Sequence, residues 1–414
     1  MKAAVLSIGT ELTRGELVNG NAAWLGDRLT SVGFDVIEHR TVGDDLERIA
    51  GALRRLAAEV RVLVASGGLG PTTDDLTTRA VASCLGVALR RDEPTLQRLR
   101  AKWAAMGLDM PASNEKQADF PEGAEILPNP VGTAPGFTVA IGGARMFFLP
   151  GVPREMRHLF DESVVPSVAP LVERTTHQIH IRTFGMTESQ VGDLLADLDD
   201  PEAGILIGYR ASFPEIEVKV LARADTEVEA EDRARRVAEE VRRRLGDTAY
   251  GERDDTFPAA VGRALRDRGL TVALAESCTG GLVGSMLTSV AGSSDYVLMD
   301  AVTYANSAKS KMLGVSQDLL RAHGAVSAEV AEAMAEGALR MSGADLAVSI
   351  TGIAGPGGGS EGKPVGTVWF GLARKGEPTV TKLRTLRGDR ERIRVLSAYV
   401  ALKLVLRAAK GDVG

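Results

Sequence analysis

Cysteine is scarce in this chain of 414 residues. The only two, Cys84 and Cys278, lie far apart in the sequence, which excludes a disulfide framework and is typical of a protein in a reducing cytoplasm. The five histidines show no spacing that suits a metal site. No apolar run is long enough to cross a bilayer, and the run within residues 1–9 is too short for a signal peptide. We therefore expect a cytoplasmic protein with no membrane partner.

Basic residues do not dominate the charge. Lys and Arg total 49 against 55 Asp and Glu, so the formal net charge is −6 and nucleic acid is an unfavoured partner. Two nucleotide-binding signatures are also missing: no glycine loop ends in Gly-Lys-Ser/Thr, and no dinucleotide glycine pattern follows the first strand. With 44% hydrophobic residues, the chain has the length and composition of two or three folded domains.

The N-terminal part contains a regular alternation of strand and helix patterns. Strands are predicted at residues 5–8, 34–42 and 62–65, with helices between them. This alternation indicates a parallel sheet with crossover helices. Asp44 and Asp45 follow the second strand, and we expect one of them to cap the next helix.

A glycine-rich loop follows the third strand, with the sequence Ser-Gly-Gly-Leu-Gly-Pro-Thr-Thr-Asp-Asp at residues 66–75. Its glycines allow backbone N–H groups to approach a phosphate, and Asp74 and Asp75 suit a hard divalent cation. One of these two acids is also expected to cap the helix predicted over residues 76–85. Two later loops rich in Pro and Gly are either plain turns or walls of the same pocket: residues 129–136 and residues 149–153.

The character of the chain changes near residue 170. Short strand patterns alternate with helices, and the helix predicted at residues 225–245 carries acid–base pairs at i,i+4 beside an apolar stripe. This order is that of a small α+β module such as the RNA-binding KH fold. The segment has no Gly-x-x-Gly loop between helices that could grip a nucleic-acid backbone.

In the C-terminal part, the stretch Ala-Glu-Ser-Cys-Thr-Gly-Gly at residues 275–281 follows an apolar strand pattern and precedes a helical one. Ser277 is therefore predicted on a strand-to-helix turn. Such a turn exposes a hydroxyl and directs backbone N–H groups towards one point, as in acyl-transfer enzymes. The alternative is that Ser277 and Thr279 only cap the helix.

Two further strands end in turns with reactive side chains. Tyr304 and Lys309 lie where a strand at residues 297–303 gives way to a helix, with Asn306 as its predicted N-cap, and Thr351 ends a third strand. The helix dipole and partial burial would lower the pKa of Lys309 towards that of a base; the alternative is a solvated surface lysine. Because ligand sites lie beyond the carboxyl ends of strands, we expect the three turns to converge.

Together these motifs resemble the bacterial competence/damage-inducible CinA family. The resemblance covers the whole chain. Ala275 and Met299 stand where the family would have Thr and Gly, and neither supplies chemistry. The motifs that carry the resemblance are at residues 66–75, 129–136, 149–153, 275–281, 304–309, 324–327, 351–356 and 363–367.

The resemblance implies an α/β multidomain protein that forms a homodimer. Its three domains would be a three-layer α/β domain similar to the molybdopterin-binding fold at residues 1–168, a small α+β KH-type domain at residues 169–252, and an α/β nicotinamide mononucleotide (NMN) deamidase domain at residues 253–414.

For the N-terminal domain, the resemblance implies hydrolysis of ADP-ribose to AMP and ribose 5-phosphate with a divalent metal of the Mg, Mn or Co class. We assign the metal to Asp44 and Asp75, because each acid follows one of two neighbouring strands beside a glycine loop suited to phosphate. The expected substrate contacts are Gly67, Gly68, Gly70, Thr72, Asn129, Gly132 and Thr133.

For the C-terminal domain, the resemblance implies deamidation of NMN to nicotinic acid mononucleotide and ammonia, without a cofactor. Ser277 is the expected nucleophile and Lys309 the expected base, since no histidine motif suits a Ser-His-Asp triad. Tyr304 is expected to relay or orient the proton, and backbone N–H groups at the helix start after Cys278 to hold the oxyanion. The other expected roles are substrate orientation by Thr351, phosphate binding by Arg390, and substrate contacts by Gly280, Gly281 and Gly352.

Two other functions stay open at this point. One is a competence-associated nucleic-acid-binding scaffold, which the acidic charge and the missing Gly-x-x-Gly loop disfavour. The other is an enzyme of molybdenum-cofactor biosynthesis, for which the fold alone is weak support. A short-chain dehydrogenase is excluded, since four residues separate Tyr304 from Lys309 where that family would have three.

Overall fold

The computed structural model describes residues 1–172 and 174–412. The chain forms two compact units. One contains the described residues up to 178 together with 222–233, and the other contains residues 179–221 and the described residues from 234 onward. Within these ranges, no helix combines the length and the apolar character needed to cross a membrane.

The N-terminal domain is a sheet with helices on both sides. Its strands are β1 (Lys2–Ile8), β2 (Asp35–Val42), β3 (Val62–Ser66), β4 (Leu89–Arg91), β5 (Asp119–Pro121), β6 (Glu125–Leu127), β7 (Gly136–Ile141) and β8 (Ala144–Leu149). Its α-helices are α1 (Thr10–Thr13), α2 (Gly20–Val32), α3 (Leu46–Glu59), α4 (Thr77–Leu85), α5 (Glu93–Ala105), α6 (Pro153–Leu159) and α7 (Val165–Val168).

Six of these strands form the main sheet, in the order β2-β1-β3-β8-β7-β6, while β4 and β5 pair separately. The neighbours β2, β1, β3 and β8 run parallel, and β7 and β6 are antiparallel additions. The carboxyl ends of the parallel strands therefore lie at one edge of the sheet. The predicted parallel sheet with crossover helices is confirmed.

Successive residues of β1 pack on opposite faces of the sheet, because side chains alternate along a strand. Ala3 and Val5 join a core with α2 and α6, whereas Ala4 and Leu6 join a core with α3 and α4. All four side chains are buried. Helices thus cover both faces, and the domain has the predicted three layers.

The middle domain is a four-stranded sheet with two α-helices. Its elements are β9 (Thr175–Thr183), α8 (Glu188–Leu195), β10 (Ile205–Ser212), β11 (Glu215–Ala224), α9 (Glu227–Leu245) and β12 (Ala249–Glu252). The strand order is β10-β11-β9-β12. Val218 and Val220 of β11 pack with Val191 of α8 and Val241 of α9, so both helices lie on the same face of the sheet. This is the predicted α+β module.

The C-terminal domain is a second sheet between helices. Its strands are β13 (Val272–Glu276), β14 (Val297–Val302), β15 (Leu346–Gly352), β16 (Thr367–Arg374) and β17 (Val380–Thr385). Its α-helices are α10 (Phe257–Asp267), α11 (Leu282–Thr288), α12 (Asn306–Leu313), α13 (Gln317–His323), α14 (Ala328–Ser342) and α15 (Arg390–Lys410).

The strand order of this sheet is β14-β13-β15-β16-β17. Val272 and Leu274 of β13 pack with α10 and α15, while Ala273 and Ala275 face α14. The neighbours β14, β13 and β15 are parallel, and Glu276 is in register with both Val302 and Ile350. The turns that follow these three strands therefore meet at one edge, as predicted.

Candidate active sites

The turn after β13 carries Ser277 and is organised by a buried acid. Glu276 is fully buried, and its carboxylate accepts hydrogen bonds from Gly281 N at 3.0 Å and Gly284 N at 2.9 Å. These N–H groups belong to the start of α11 and have no acceptor within the helix. Gly280 and Gly281 have φ angles of +66° and +88°, a conformation that glycine adopts without strain. Sequence reasoning had given Glu276 no role.

This arrangement decides how Ser277 is used. The N-cap residue of α11 is Gly281, which has no side chain, and the free N–H groups at the helix start are taken by the side chain of Glu276. The alternative, that Ser277 and Thr279 only cap the helix, is therefore wrong. The Ser277 hydroxyl is directed at Lys309 instead.

Because Glu276 occupies the N–H groups at the start of α11, other N–H groups must be considered for binding an oxyanion. Gly280 N donates to Ser277 O at 3.1 Å, and Gly281 N donates to Glu276. The N–H groups of Cys278 and Thr279 donate to no acceptor in the part of the chain that the structure describes. Two adjacent N–H groups directly after the serine are thus available, rather than those of the helix start.

Lys309 places its amine against the serine. Its Nζ lies 3.0 Å from Ser277 Oγ, 2.7 Å from Thr303 O and 3.4 Å from Tyr304 O. Only 1% of the residue is exposed, so the alternative of a solvated surface lysine is wrong. Burial lowers the pKa of Lys309 below the usual lysine value. A neutral amine could donate its two hydrogens to the carbonyls and keep its lone pair for the Ser277 proton.

The helix that carries Lys309 begins without a side-chain cap. α12 starts at Asn306 after the N-cap residue Ala305, so the prediction that Asn306 is the N-cap is wrong. Lys309 is the fourth residue of α12, within the turn where backbone N–H groups give the helix its positive end. The helix dipole therefore acts in the same direction as burial and favours the neutral amine.

Tyr304 meets Lys309 through its backbone, not through its hydroxyl. The side chain is 61% exposed, and its hydroxyl accepts a hydrogen bond from Arg390 Nη2 at 3.0 Å. Arg390 Nη1 in turn donates to Gly355 O at 2.6 Å. The structure thus places a tyrosine hydroxyl and a guanidinium side by side at the mouth of the turn. One turn further along α15, Arg394 Nη2 donates to Thr279 O at 2.8 Å and holds the serine loop.

Thr351 and Gly352 shape the third turn. Thr351 is buried, and its hydroxyl donates to Ala325 O at 2.7 Å, which ties the end of β15 to the segment before α14. A Cβ on Gly352 would lie 2.7 Å from a methyl group of Val368, so only glycine fits against β16 there. Both residues therefore fix the shape of the site wall.

Cys278 lies beside the serine but is a poor nucleophile in this environment. Its thiol is buried, and burial raises its pKa to about 12. The reactive form of cysteine is the thiolate, which is scarce at neutral pH when the pKa is this high.

The N-terminal domain has a cavity of about 550 Å³ at the carboxyl ends of its parallel strands. The predicted site residues that line it are Asp44, Gly67, Gly68, Gly70, Asp75 and Thr133. Thr72 lies instead on an adjoining cavity of about 530 Å³, which shares the glycine loop. Asn129 and Gly132 do not line either cavity.

Asp44 and Asp75 are held in the same way, each by a threonine. Asp44 Oδ2 accepts from Thr10 N at 2.7 Å and Thr10 Oγ1 at 2.8 Å. Asp75 Oδ2 accepts from Thr72 N at 2.8 Å and Thr72 Oγ1 at 2.5 Å. Neither Asp74 nor Asp75 caps α4, whose N-cap is Leu76, so that prediction is wrong. Asp45 caps α3 by accepting from Arg48 N, as expected of one of the two acids.

Each of the two carboxylates has one oxygen held by a threonine and one oxygen free among the described residues. Their Oδ1 atoms accept no hydrogen bond from any residue the structure describes, while Oδ2 is fixed by the threonine. Residues 1–172 and 174–412 contain no group of three or more His, Cys, Asp or Glu side chains placed to hold an ion. Each free carboxylate oxygen is a hard ligand of the kind that an ion of the Mg class binds together with water or phosphate oxygens.

The loop at residues 129–136 is a rigid wall. Asn129 is buried, and its side chain accepts from Val131 N at 3.1 Å and Gly132 N at 3.0 Å. It also donates to Ala134 O at 2.9 Å and Glu155 Oε2 at 2.5 Å. The polar atoms of this amide are thus used within the loop and to tie it to Glu155 of α6.

Two lysines that sequence reasoning missed hold these loops from outside. Lys102 Nζ donates to the carbonyl of Asn129 at 2.8 Å and to that of Gly132. Lys116 Nζ donates to the carbonyls of Thr72 and Asp75, the latter at 3.2 Å. Neither lysine has a neighbour in sequence that points to this use.

The fold and the sites define a three-domain α/β protein with a serine–lysine pair in one domain and a carboxylate-lined cavity in another. Residues 4–170 match the family described as "Probable molybdopterin binding domain", residues 178–251 match "Damage-inducible protein CinA KH domain", and residues 254–409 match "CinA C-terminal domain".

Full-length relatives agree with these matches. A "CinA-like protein" of Geobacter sulfurreducens is 46% identical over 412 residues, 98% of this chain and 99% of the relative. A "CinA-like protein" of Anaeromyxobacter dehalogenans is 44% identical over 412 residues, 99% of this chain and 100% of the relative. The chain therefore belongs to the CinA family.

Solved structures match part of the chain. A crystal structure of CinA from Thermoplasma acidophilum, whose function is described as unknown, is 40% identical. The match covers 40% of this chain and 97% of that chain, with a TM-score of 0.37.

Proposed function

We propose that the C-terminal domain deamidates NMN by acyl transfer to Ser277. The observation that carries this proposal is the 3.0 Å contact between Ser277 Oγ and the buried amine of Lys309. The choice of NMN rests on membership of the CinA family. Arg390, beside the Tyr304 hydroxyl, offers a guanidinium for the phosphate of such a substrate.

In the proposed reaction, neutral Lys309 accepts the Ser277 proton as Oγ attacks the carboxamide carbon. The N–H groups of Cys278 and Thr279 stabilise the negative oxygen of the tetrahedral intermediate. Lys309 then gives its proton to the nitrogen, so ammonia leaves as the C–N bond breaks and an ester remains on Ser277. Water attacks the ester carbon while Lys309 takes its proton; the proton then passes to Ser277 Oγ, and nicotinic acid mononucleotide is released.

Ammonia release from NMN by the purified full-length protein tests this proposal. Ser277→Ala and Lys309→Ala are each expected to lose about a thousandfold in turnover, and the double variant little more, because members of one catalytic unit are not additive. Ser285→Ala and Lys311→Ala are matched controls on α11 and α12 with exposed side chains, and both should keep their rate. A Ser277→Ala protein that works at close to the wild-type rate would remove the nucleophile assignment.

We propose further that the N-terminal domain hydrolyses ADP-ribose to AMP and ribose 5-phosphate. Asp44 and Asp75 would hold a divalent ion, which supplies charge neutralisation at the pyrophosphate and an acidic bound water when present. The support for this proposal is that both acids line one cavity with Gly67, Gly68 and Gly70, at the carboxyl edge of the sheet. Backbone N–H groups of a glycine loop are suited to binding phosphate oxygens.

The two proposed activities can be separated by reciprocal variants. Asp75→Asn keeps an oxygen for Thr72 but removes the charge, so it should abolish ADP-ribose hydrolysis and leave NMN deamidation unchanged. Ser277→Ala should do the reverse. A chelator is expected to stop only the first reaction. If neither the chelator nor Asp75→Asn changes the release of AMP, the assignment of this cavity is wrong.

A further inference from the structure

A separate cavity of about 400 Å³ lies between the middle domain and the C-terminal domain, inside the second compact unit. The segment 184–187 and Pro214 line it from the middle domain, and β17 and α15 line it from the C-terminal domain. It shares no lining residue with the turn around Ser277.

Four basic side chains from the C-terminal domain face this cavity. Lys382 and Arg384 are two residues apart on β17 and so point to the same side of the strand. Lys403 and Arg407 are four residues apart on α15 and so lie on one face of the helix. The two pairs come from elements that meet across the cavity.

Carboxylates do not balance these charges. Asp247 is the one acidic residue in the lining, 3.7 Å from Lys403 Nζ and 3.4 Å from Arg407 Nε. Arg407 also pairs with Asp412 at 2.7 Å. Lys382 and Arg384 form no ion pair within residues 1–172 and 174–412, so two cations remain without a carboxylate.

The closeness of these positive charges affects the pKa of both lysines. Burial and the neighbouring cations lower the pKa of Lys382, and burial and Arg407 lower that of Lys403 despite the nearby Asp247. The C-terminal end of the α15 dipole favours Arg407, in the last turn, but neither Lys403 nor the two residues of β17. Like charges held together in a half-buried space destabilise the fold unless an anion joins them.

Apart from Thr187 and Gln190, the uncharged part of the lining is apolar. Met186, Leu386, Leu396 and Leu404 lie beside the basic groups. Gly185, with φ of +109°, brings the backbone close to Lys403, and a Cβ there would lie 2.8 Å from Nζ. The cavity therefore combines a cationic end with an apolar surface, within a volume suited to a small molecule.

We propose that this cavity binds a small organic phosphate monoester of the nucleoside monophosphate class. The dianionic phosphate would be bound by Lys382, Arg384 and the α15 pair, and the base and sugar would lie against the apolar side chains. Inorganic phosphate alone would use only the cationic end. The site is independent of both proposed activities, because none of its residues belongs to either.

Hydrogen exchange of the full chain, with AMP and with inorganic phosphate as probes, locates binding without an activity assay. AMP should slow exchange in a saturable way in peptides covering residues 182–190 and 380–387, whatever it does in the N-terminal domain. Inorganic phosphate should protect them at least tenfold more weakly. No slowing by millimolar AMP, or equal protection by inorganic phosphate, would overturn the assignment to an organic phosphate.

Matched charge variants complete the test. Lys382→Gln/Arg384→Gln should raise the AMP concentration for half protection about tenfold or more, since charge-assisted hydrogen bonds are lost. It should also raise the Tm of the ligand-free protein at low salt, because repulsion is relieved. Lys375→Gln/Lys410→Gln removes the same charge from exposed positions outside the cavity and should leave AMP protection within twofold. Equal half-saturation for the two double variants would contradict the proposal.

Discussion

At the scale of single residues, the chemistry of the C-terminal site depends on the charge state of Lys309. A protonated lysine in this position would donate to Thr303 O, Tyr304 O and Ser277 Oγ and could not accept a proton. Burial and the helix start both oppose that charged state. The same environment that destabilises the cation therefore prepares the base.

The rate of NMN deamidation should follow this ionisation. Because the pKa of Lys309 in the folded state lies below the unfolded value of about 10.4, the folded protein loses this proton first as pH rises. We expect kcat/KM to increase with pH and to level off with a midpoint below that value. Lys309→Arg keeps a cation that does not deprotonate and should give a flat profile at a rate near that of Lys309→Ala.

A pH profile of Lys309→Arg that still rises with the wild-type midpoint would show that another group is the base.

The lowered pKa of Lys309 also makes the stability of the fold depend on pH. The buried cation destabilises the fold most below the folded-state pKa, and this destabilisation is relieved as pH rises towards the unfolded value. Lys309→Met should therefore raise the Tm near neutral pH.

At the scale of elements, two acids from neighbouring strands lie beside the start of α11. Glu276 of β13 accepts from the start of the helix, and a Cβ at Gly284 would lie 2.1 Å from Asp300 Oδ2 of β14, so a larger residue there would displace the Asp300 carboxyl. Desolvation and the nearby Glu276 carboxyl raise the pKa of Asp300 to about 7. The buried carboxyl of Glu276 and the more exposed carboxyl of Asp300 thus lie close together beside the serine turn.

Asp300→Asn should stabilise the protein at alkaline but not at acidic pH. Between about 4 and 7 the folded state binds the proton that the unfolded Asp300 has lost, so stability falls as pH rises through this range. Asparagine removes that loss and can donate to Glu276. We expect a higher Tm than wild type at pH 8 and a difference close to zero at pH 4, measured by calorimetry. A lower Tm at pH 8 would mean that the Asp300 carboxylate is needed.

Contacts in the site could be predicted from the sequence where each contacting residue lies in a recognisable local pattern. Ser277, Lys309 and Thr351 each follow a recognisable strand, so the parallel sheet brings their turns together as predicted. Glu276 was visible beside the serine, but whether an acid at a strand end turns towards the helix depends on strand register. No local pattern indicates it.

Contacts between residues far apart in the sequence could not be predicted either, because no local pattern indicates them. Lys102 lies 27 residues from Asn129, and Lys116 lies 44 residues from Thr72. Similarly, the cationic cavity joins segments around residues 185, 382 and 403 that are unrelated in sequence. The predicted N-cap at Asn306 was wrong by one residue, because α12 begins at Asn306 itself, and the start of α11 is capped by Glu276 from the preceding strand.

At the scale of the whole molecule, the edge strand β14 of the C-terminal sheet exposes apolar side chains. β14 is the last strand of its sheet and exposes Leu298 by 49% and Val302 by 44%. Met312 of the adjoining helix is 45% exposed. An exposed strand edge is prone to pair with another edge, and two copies of the same edge are related by a two-fold axis when they pair.

We expect the chain to form a homodimer that buries this edge. Light scattering at micromolar concentration should give twice the 43.7 kDa mass of one chain. Leu298→Lys/Val302→Lys should give the mass of one chain, because lysines on an edge strand oppose pairing. Met341→Lys, a change at a 55% exposed residue of α14, is the matched control and should stay dimeric. A monomeric wild-type protein would contradict the dimer itself, whereas a dimeric double variant would move the interface away from β14.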